Sequence, residues 1–269
     1  MKWLTLLAAL WCAPAFAEPL PPIRFLLTFD DGPSIAASDN PTLSVVEQLA
    51  INDVQPDIKA VFFVQTRNAN GGGSAEGKRI LRSAHRAGHV LGLHSASPEG
   101  HLSHTGMPPE KLRQSLRNGK GDLTRITGKP PVLVRPTYWR HNADTRAAYC
   151  ANRLTMVLAE VKANDGVIHV FNVSFRRRSH LRSELEAVRE QIAARKLREV
   201  AGAIPIVVGF HDVNTFTASH MTEYFHILVE EARAVGLTLH DSPFYSERSE
   251  ILRALQPRNH CRANAAGRN

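Results

Sequence analysis

Two adjacent carboxylates, Asp30 and Asp31, close an apolar run in the string Thr28-Phe29-Asp30-Asp31-Gly32-Pro33. In an extended segment neighbouring side chains point to opposite sides, so the two acids meet different neighbours and take different roles. An Asx turn before Gly-Pro is a purely local use that accounts for one acid but not for the pair. Further along, His94, His101 and His104 crowd a short stretch. Imidazole nitrogen and carboxylate oxygen together form the donor set of a borderline ion such as Zn²⁺. Arg135 follows another apolar run, and its guanidinium suits a charge-assisted hold on a carboxylate. His211 ends the run Ile206-Val207-Val208-Gly209-Phe210 and suits proton transfer near neutral pH, although a single histidine at a strand end is more often structural.

These residues need a scaffold that gathers strand ends. Short β-rich runs are predicted over Ile23 to Phe29, Ile58 to Val64, His89 to Leu93, Val132 to Val134, Leu154 to Leu158, Val167 to Val173 and Ile204 to Phe210, with a last one near Leu237 to Leu239. Amphipathic helical patterns alternate with them at Leu43 to Ile51, Lys78 to Ala87, Pro109 to Thr127, Thr145 to Asn152, Arg182 to Lys196 and Met221 to Val235. Such alternation implies an α/β fold with a largely parallel sheet, and seven or eight strands suit a barrel. In a β/α barrel the chemistry sits at the C-terminal strand ends, where the acids, histidines and arginine fall. Gly88, Gly128 and Gly236 stand where helix C-caps are expected. The Gly-rich stretch Asn68 to Gly77 reads as a mobile surface loop, and the polar tail from Ser246 as one short helix that then frays.

The chain of 269 residues is 43% hydrophobic and 22% charged, enough for one large domain or two small ones and without the signature of disorder. Lys2, the apolar stretch Leu4 to Trp11 and the site Ala15-Phe16-Ala17 read as a signal peptide over residues 1–17. That stretch is too short to span a bilayer, so a transmembrane anchor is not expected. Export to the periplasm or the extracellular medium follows. Removal of Cys12 with the signal leaves Cys150 and Cys261, an even pair in a compartment that permits oxidation. The formal charge of +8, bunched at places such as Arg176-Arg177-Arg178, favours an anionic envelope polymer over nucleic acid in an exported protein, or serves only as a solvated basic surface.

In order, these segments resemble the polysaccharide deacetylase family, carbohydrate esterase family 4 or NodB-homology domain. The resemblance covers roughly Ile23 to Leu239. It implies a single-domain, distorted (β/α)7-8 barrel over residues 18–245, with residues 246–269 as a C-terminal tail. Thr28-Phe29-Asp30-Asp31-Gly32-Pro33 is similar to the family's first motif unaltered, which implies Asp30 as general base and Asp31 as metal ligand. His94-Ser95 resembles the start of the second motif, whose further ligand histidine would fall at Pro98. A three-residue insertion aligns His101 with that ligand, and His104 is the alternative. Arg135-Pro136-Thr137-Tyr138 resembles the third motif, whose arginine steadies the base and whose tyrosine N–H binds the oxyanion; Trp139 replaces the usual glycine beside the substrate. Asp165 is the candidate for the acid that orients the catalytic histidine, with Glu160 as fallback, and Gly166 stands where relatives carry tryptophan. His211 resembles the general acid, and Gly209 replaces the leucine that lines the acetyl pocket.

The resemblance implies a hydrolase that removes N-acetyl groups from a sugar polymer through metal-activated water, with Zn²⁺ as the expected ion. Two alternatives stay open. Pro98 and Gly166 suit a glycan-binding or assembly protein that has lost hydrolysis, and the altered acetyl pocket suits an O-acetyl esterase.

Overall fold

The computed structural model describes residues 20–165 and 176–255. The signal peptide, Gly166, the run Val167 to Val173 and Cys261 lie outside the described residues. Eight strands are described: β1 (Ile23–Asp30), β2 (Val61–Gln65), β3 (Val90–Ser95), β4 (Leu133–Val134), β5 (Thr155–Met156), β6 (Val161–Lys162), β7 (Ile204–His211) and β8 (Leu239–Phe244). The helices are α1 (Pro41–Ala50), α2 (Ala75–Arg86), α3 (Pro109–Thr127), α4 (Ala143–Ala151), α5 (Arg177–Ala193), α6 (Thr215–Ser219), α7 (Met221–Ala234) and α8 (Arg248–Leu255). Short 3₁₀ turns occupy His104–Gly106 and Thr137–Trp139.

All strand pairings between these elements are parallel, in the order β5-β4-β3-β2-β1-β7-β6, with β8 joining β1. The sheet curls into the distorted β/α barrel, wrapped by helices, and forms a single domain. All eight residues of β1 are buried, as expected of a strand covered on both faces. Their alternation decides where the chemistry faces. Phe25, Leu27 and Phe29 join the core between sheet and helices, where Phe29 stacks on Phe62 and Phe210. Leu26 joins the second core, with Phe63, Leu133, Val157 and Val207. Thr28 and Asp30 share Leu26's parity. A one-residue slip would exchange the faces, stranding three aromatic and aliphatic side chains worth about 1.5–3 kcal/mol each.

Helix ends are closed by local chemistry. Asn40 caps α1 by accepting from Leu43 N–H, Ser74 caps α2, and Asn142 forms a capping box with Thr145 on α4. Gly88, Gly128 and Gly236 all have positive φ, the conformation their C-cap positions require.

The structure adds to or changes several expectations. The strand pairing with β7 is β6, at Val161–Lys162, and β8 extends to Phe244. The short α6 follows β7 without a periodicity long enough to announce it. The Gly-rich stretch is packed rather than a free loop, with Gly71, Gly72 and Gly77 buried. A Cβ on Gly72 would lie 2.5 Å from the Gln65 carbonyl oxygen, and one on Gly77 2.0 Å from that of Gly71, so these glycines serve close backbone approach. The segment after Ser246 opens with the short helix expected there, α8, which buries Ile251, Ala254 and Leu255 against the second core.

Candidate functional site

The register between β1 and β7 sets Asp30 directly beside His211, and Thr28 beside Gly209. Arg135, fully buried just after β4, donates through Nη1 to Asp30 Oδ1 at 2.9 Å and to Thr28 Oγ1 at 2.6 Å. Its guanidinium is held between the rings of Phe63 and Trp139, at 4.3 and 4.5 Å from their centroids. Asp30 is thereby fixed in place by a buried, charge-assisted pair.

Asp31 has φ 75°, which breaks the strand alternation. A non-glycine residue costs roughly 1–3 kcal/mol there, and such strain gathers at functional sites. The turn is held by Asp31 N–H donating to the Phe63 carbonyl and Gln65 N–H to the Gly32 carbonyl. Gly32 leaves no room for a side chain, because a Cβ would lie 2.1 Å from Asp212 Oδ2. As a result both carboxylates lie within electrostatic reach of His101 and His211, and the expected division onto opposite sides becomes one shared mouth.

Asp31, His94 and His101 bring one donor atom each within 4.8 Å of one another. Asp31 Oδ1 lies 3.3 Å from His94 Nε2 and 3.6 Å from His101 Nε2, and the two imidazole nitrogens are 3.2 Å apart. His94 Nδ1–H donates to the Arg135 carbonyl at 2.9 Å, which fixes the tautomer and leaves Nε2 as a lone-pair donor. Burial lowers the His101 pKa and favours the neutral imidazole, the form that ligates. Burial opposes ionisation of Asp31, but the His94 hydrogen bond and the attraction to His94, His101 and His211 whenever these are protonated outweigh it and hold the carboxyl well below the usual range. Two imidazoles and one carboxylate fit a borderline divalent ion.

His104, the alternative ligand, is not part of this group. It is buried with Nδ1 hydrogen-bonded to the Tyr149 hydroxyl at 2.6 Å, and burial pushes its pKa down to about 3. His101 is positioned instead by Tyr138, whose ring stacks on it at 4.2 Å and whose hydroxyl donates to the His101 carbonyl. Tyr138 and Trp139 both have positive φ, 55° and 61°.

Asp165 is buried and accepts three hydrogen bonds, from His211 Nδ1 at 2.8 Å, His211 N–H at 2.9 Å and Thr217 Oγ1 at 2.8 Å. Burial alone would lower the His211 pKa; the Asp165 hydrogen bond and the charges of Asp165, Asp30 and Asp31 push it up to about 9. His211 Nε2 faces Asp31 Oδ2 at 3.9 Å. Glu160, the fallback, accepts instead from Val207 N–H.

Trp139 and Gly209, noted separately in the sequence, meet in space. A Cβ on Gly209 would lie 2.9 Å from Trp139 Cη2, so the indole occupies the room a larger residue 209 would need. Gly209 has the parity of His211 on β7, which puts the indole in the layer below the mouth.

Two participants had no signal in the sequence beyond a polar residue at a strand end: Gln65, whose Nε2 donates to Asp31 Oδ1 at 2.9 Å, and Asp212. Asp212 is buried and accepts from Thr42 Oγ1 at 2.7 Å; burial pushes its pKa up to about 7. The Arg176–Arg178 cluster contributes less free charge than expected, because Arg177 pairs with Glu223 and Arg178 with Glu230 and Glu231. A cavity of about 990 Å³ between α1 and α6 is lined by none of the site residues above. Among the described residues no helix is long and apolar enough to cross a membrane. Cys150 is disulfide-bonded.

The chain is 29% identical over 126 residues to a peptidoglycan-N-acetylglucosamine deacetylase of Bacillus cereus, which is 47% of this chain and 40% of the relative. It spans between 34% and 40% of the length of the curated relatives it matches. The fold resembles the chitin deacetylase of Colletotrichum lindemuthianum, with TM-score 0.59, 19% identity and coverage of 82% of this chain and 88% of that one. It also resembles a family 4 acetyl xylan esterase of Clostridium thermocellum in complex with a cobalt ion, with TM-score 0.56, 20% identity and coverage of 85% and 89%. The sequence model described as polysaccharide deacetylase matches residues 17–157, more than half of the chain, and the chain belongs to that family.

Proposed function

We propose that this chain is a metal-dependent hydrolase that removes N-acetyl groups from a sugar polymer, releasing acetate and leaving a free amino sugar. One observation carries the reading: the adjacent aspartates are held differently, Asp30 by a buried arginine and Asp31 by two imidazoles, beside a histidine that has its own carboxylate.

Asp31, His94 and His101 would hold the ion, and Zn²⁺ suits that donor set. Such an ion, when bound, polarises a carbonyl oxygen and lowers the pKa of water. Asp30 is the general base. Arg135 grips its Oδ1, and Oδ2 takes a proton from water as the water attacks the acetyl carbon. The Tyr138 N–H, not consumed by a backbone hydrogen bond among the described residues, is the donor for the developing oxyanion. His211, oriented by Asp165, protonates the amine nitrogen as the carbon–nitrogen bond breaks; otherwise the leaving group would be an amide anion. The environment that raises the His211 pKa favours the proton this step needs. Trp139, seated over Gly209, forms the wall against the acyl methyl.

The relatives named for peptidoglycan and chitin support an N-acetylglucosamine polymer as substrate. The signal-like residues 1–17 support an exported enzyme whose mature chain begins with the barrel at residue 18, acting in the periplasm or outside the cell. A second reading, O-acetyl ester hydrolysis, is favoured by the Trp139–Gly209 exchange at the acyl wall. Acetate release from an N-acetylated oligosaccharide and from an O-acetylated one, each with wild type and His211→Ala, tests both. An alkoxide leaves more readily than an amide anion, so the amide reaction should depend more on His211. Stoichiometric metal without acetate from either substrate would leave a glycan-binding protein and refute the hydrolase.

A further inference from the structure

Arg177 and Arg178 of α5 are paired within the fold, whereas a second set of cations outnumbers its one carboxylate. A cavity of about 490 Å³ is walled by Arg67, Lys78, Arg82, Asp122 and Arg125, with Pro98 at its rim. Lys78 and Arg82 are four residues apart on α2 and project from one face. Neither enters an ion pair among the described residues, whereas their neighbour Arg79 pairs with Glu76. Asp122 cannot neutralise them. Its carboxylate already accepts from Arg67 Nε at 2.7 Å, Arg125 Nη1 at 2.7 Å and Thr66 Oγ1 at 3.1 Å. Four cations against one carboxylate leave a surplus of three positive charges around one concavity.

Two segments of the chain link the lining of the cavity to the Asp31 cluster. Thr66 and Arg67 follow directly on Gln65, which donates to Asp31. Pro98 belongs to the loop between His94 and His101. We infer that this cavity binds an oxyanion substituent, a carboxylate or a phosphate, on the sugar polymer next to the unit that carries the acetyl group. The identity of the polymer rests on the hydrolase reading; the anion site rests on the cations alone.

The test is calorimetric binding to the full metal-loaded chain of three N-acetylglucosamine oligomers: neutral, carrying a lactyl carboxylate, and carrying a phosphomonoester. Wild type should bind one or both anionic oligomers about tenfold more tightly than the neutral one, the equivalent of about 1.4 kcal/mol, with the preference shrinking at high salt. Which of the two is preferred identifies the source of the anion. Lys78→Ala/Arg82→Ala should abolish the preference, and charge reversal with Lys78→Glu/Arg82→Glu should invert it, while affinity for the neutral oligomer stays the same. Equal affinity of wild type for all three, no binding of any, or a preference that survives the double substitutions would overturn the proposal. Acetate release is read in parallel. A preserved charge preference without acetate release counts against the hydrolase alone, and acetate release without a charge preference counts against the anion site alone.

Discussion

Gly209→Leu and Trp139→Gly should each destabilise the protein, and together they should cost far less than their sum. A Cβ at residue 209 already sits 2.9 Å from Trp139 Cη2 and 3.2 Å from Cζ2, and leucine adds three carbons beyond it. Overpacking of this kind costs about 1–3 kcal/mol, and the upper end applies because the indole is pinned between Arg135 and Lys162. Trp139→Gly removes a half-buried ring, so its loss falls at or below the bottom of the 3–5 kcal/mol range for buried aromatics, about 3 kcal/mol. Glycine also relieves the strain at φ 61°, returning about 1 kcal/mol, for a net cost of about 2 kcal/mol.

Independent effects would sum to about 5 kcal/mol. In the double variant the leucine enters the space the indole vacates, so the expected cost is about 2 kcal/mol and the coupling about 3 kcal/mol. Urea unfolding of the four proteins measures the cycle. Acetate release should follow the same pattern, with the double variant more active than Gly209→Leu alone. Additivity within about 0.5 kcal/mol would show that the indole does not fill the room of residue 209, and the acyl-wall assignment would fall with it.

Asp30→Asn should leave metal content unchanged in elemental analysis and lower turnover by about 10²-fold or more, the usual contribution of a general base; full activity would remove Asp30 from that role. His101→Ala should lose metal whereas His104→Ala retains it, since His104 pairs with Tyr149 outside the cluster; the opposite result would exchange the two. In metal-free protein, the His211 pKa is raised from its ordinary value of 6.5 to about 9, so its stabilising contribution is complete below pH 6.5 and is lost as pH rises toward 9. The loss is on the order of 3 kcal/mol and should be absent in His211→Gln, as urea midpoints across that window would show. Asp212, raised to about 7, also loses stability with rising pH, but its window ends where that of His211 begins, so measurements above pH 7 isolate the histidine.

Much of the barrel was legible because its cues are short-range. The alternation from Phe25 to Asp30 sets which side chains face inward, and α3 runs over Pro109–Thr127 as its periodicity and Gly128 imply. The two-residue β6 carries too little pattern to be seen, and α6 is too short for helical periodicity to register. The glycines from Gly71 to Gly77 resemble a flexible loop because composition reports backbone freedom and not the neighbouring carbonyl that requires it.

Residue types, strand parity and helix ends follow from neighbours along the chain, through steric preference and periodicity, and so Asp30, Asp31, His94, Arg135 and His211 could be nominated at strand ends from the chain alone. Tertiary contact decided the rest. The turn at Asp31 swings its carboxylate toward two imidazoles, Tyr138 draws His101 in while Tyr149 takes His104, and Arg135 reaches Asp30 from 105 positions away. The indole of Trp139 closes over Gly209 by the same kind of long-range approach. Such choices depend on loop paths and packing between distant segments, and spacing along a chain carries no record of either.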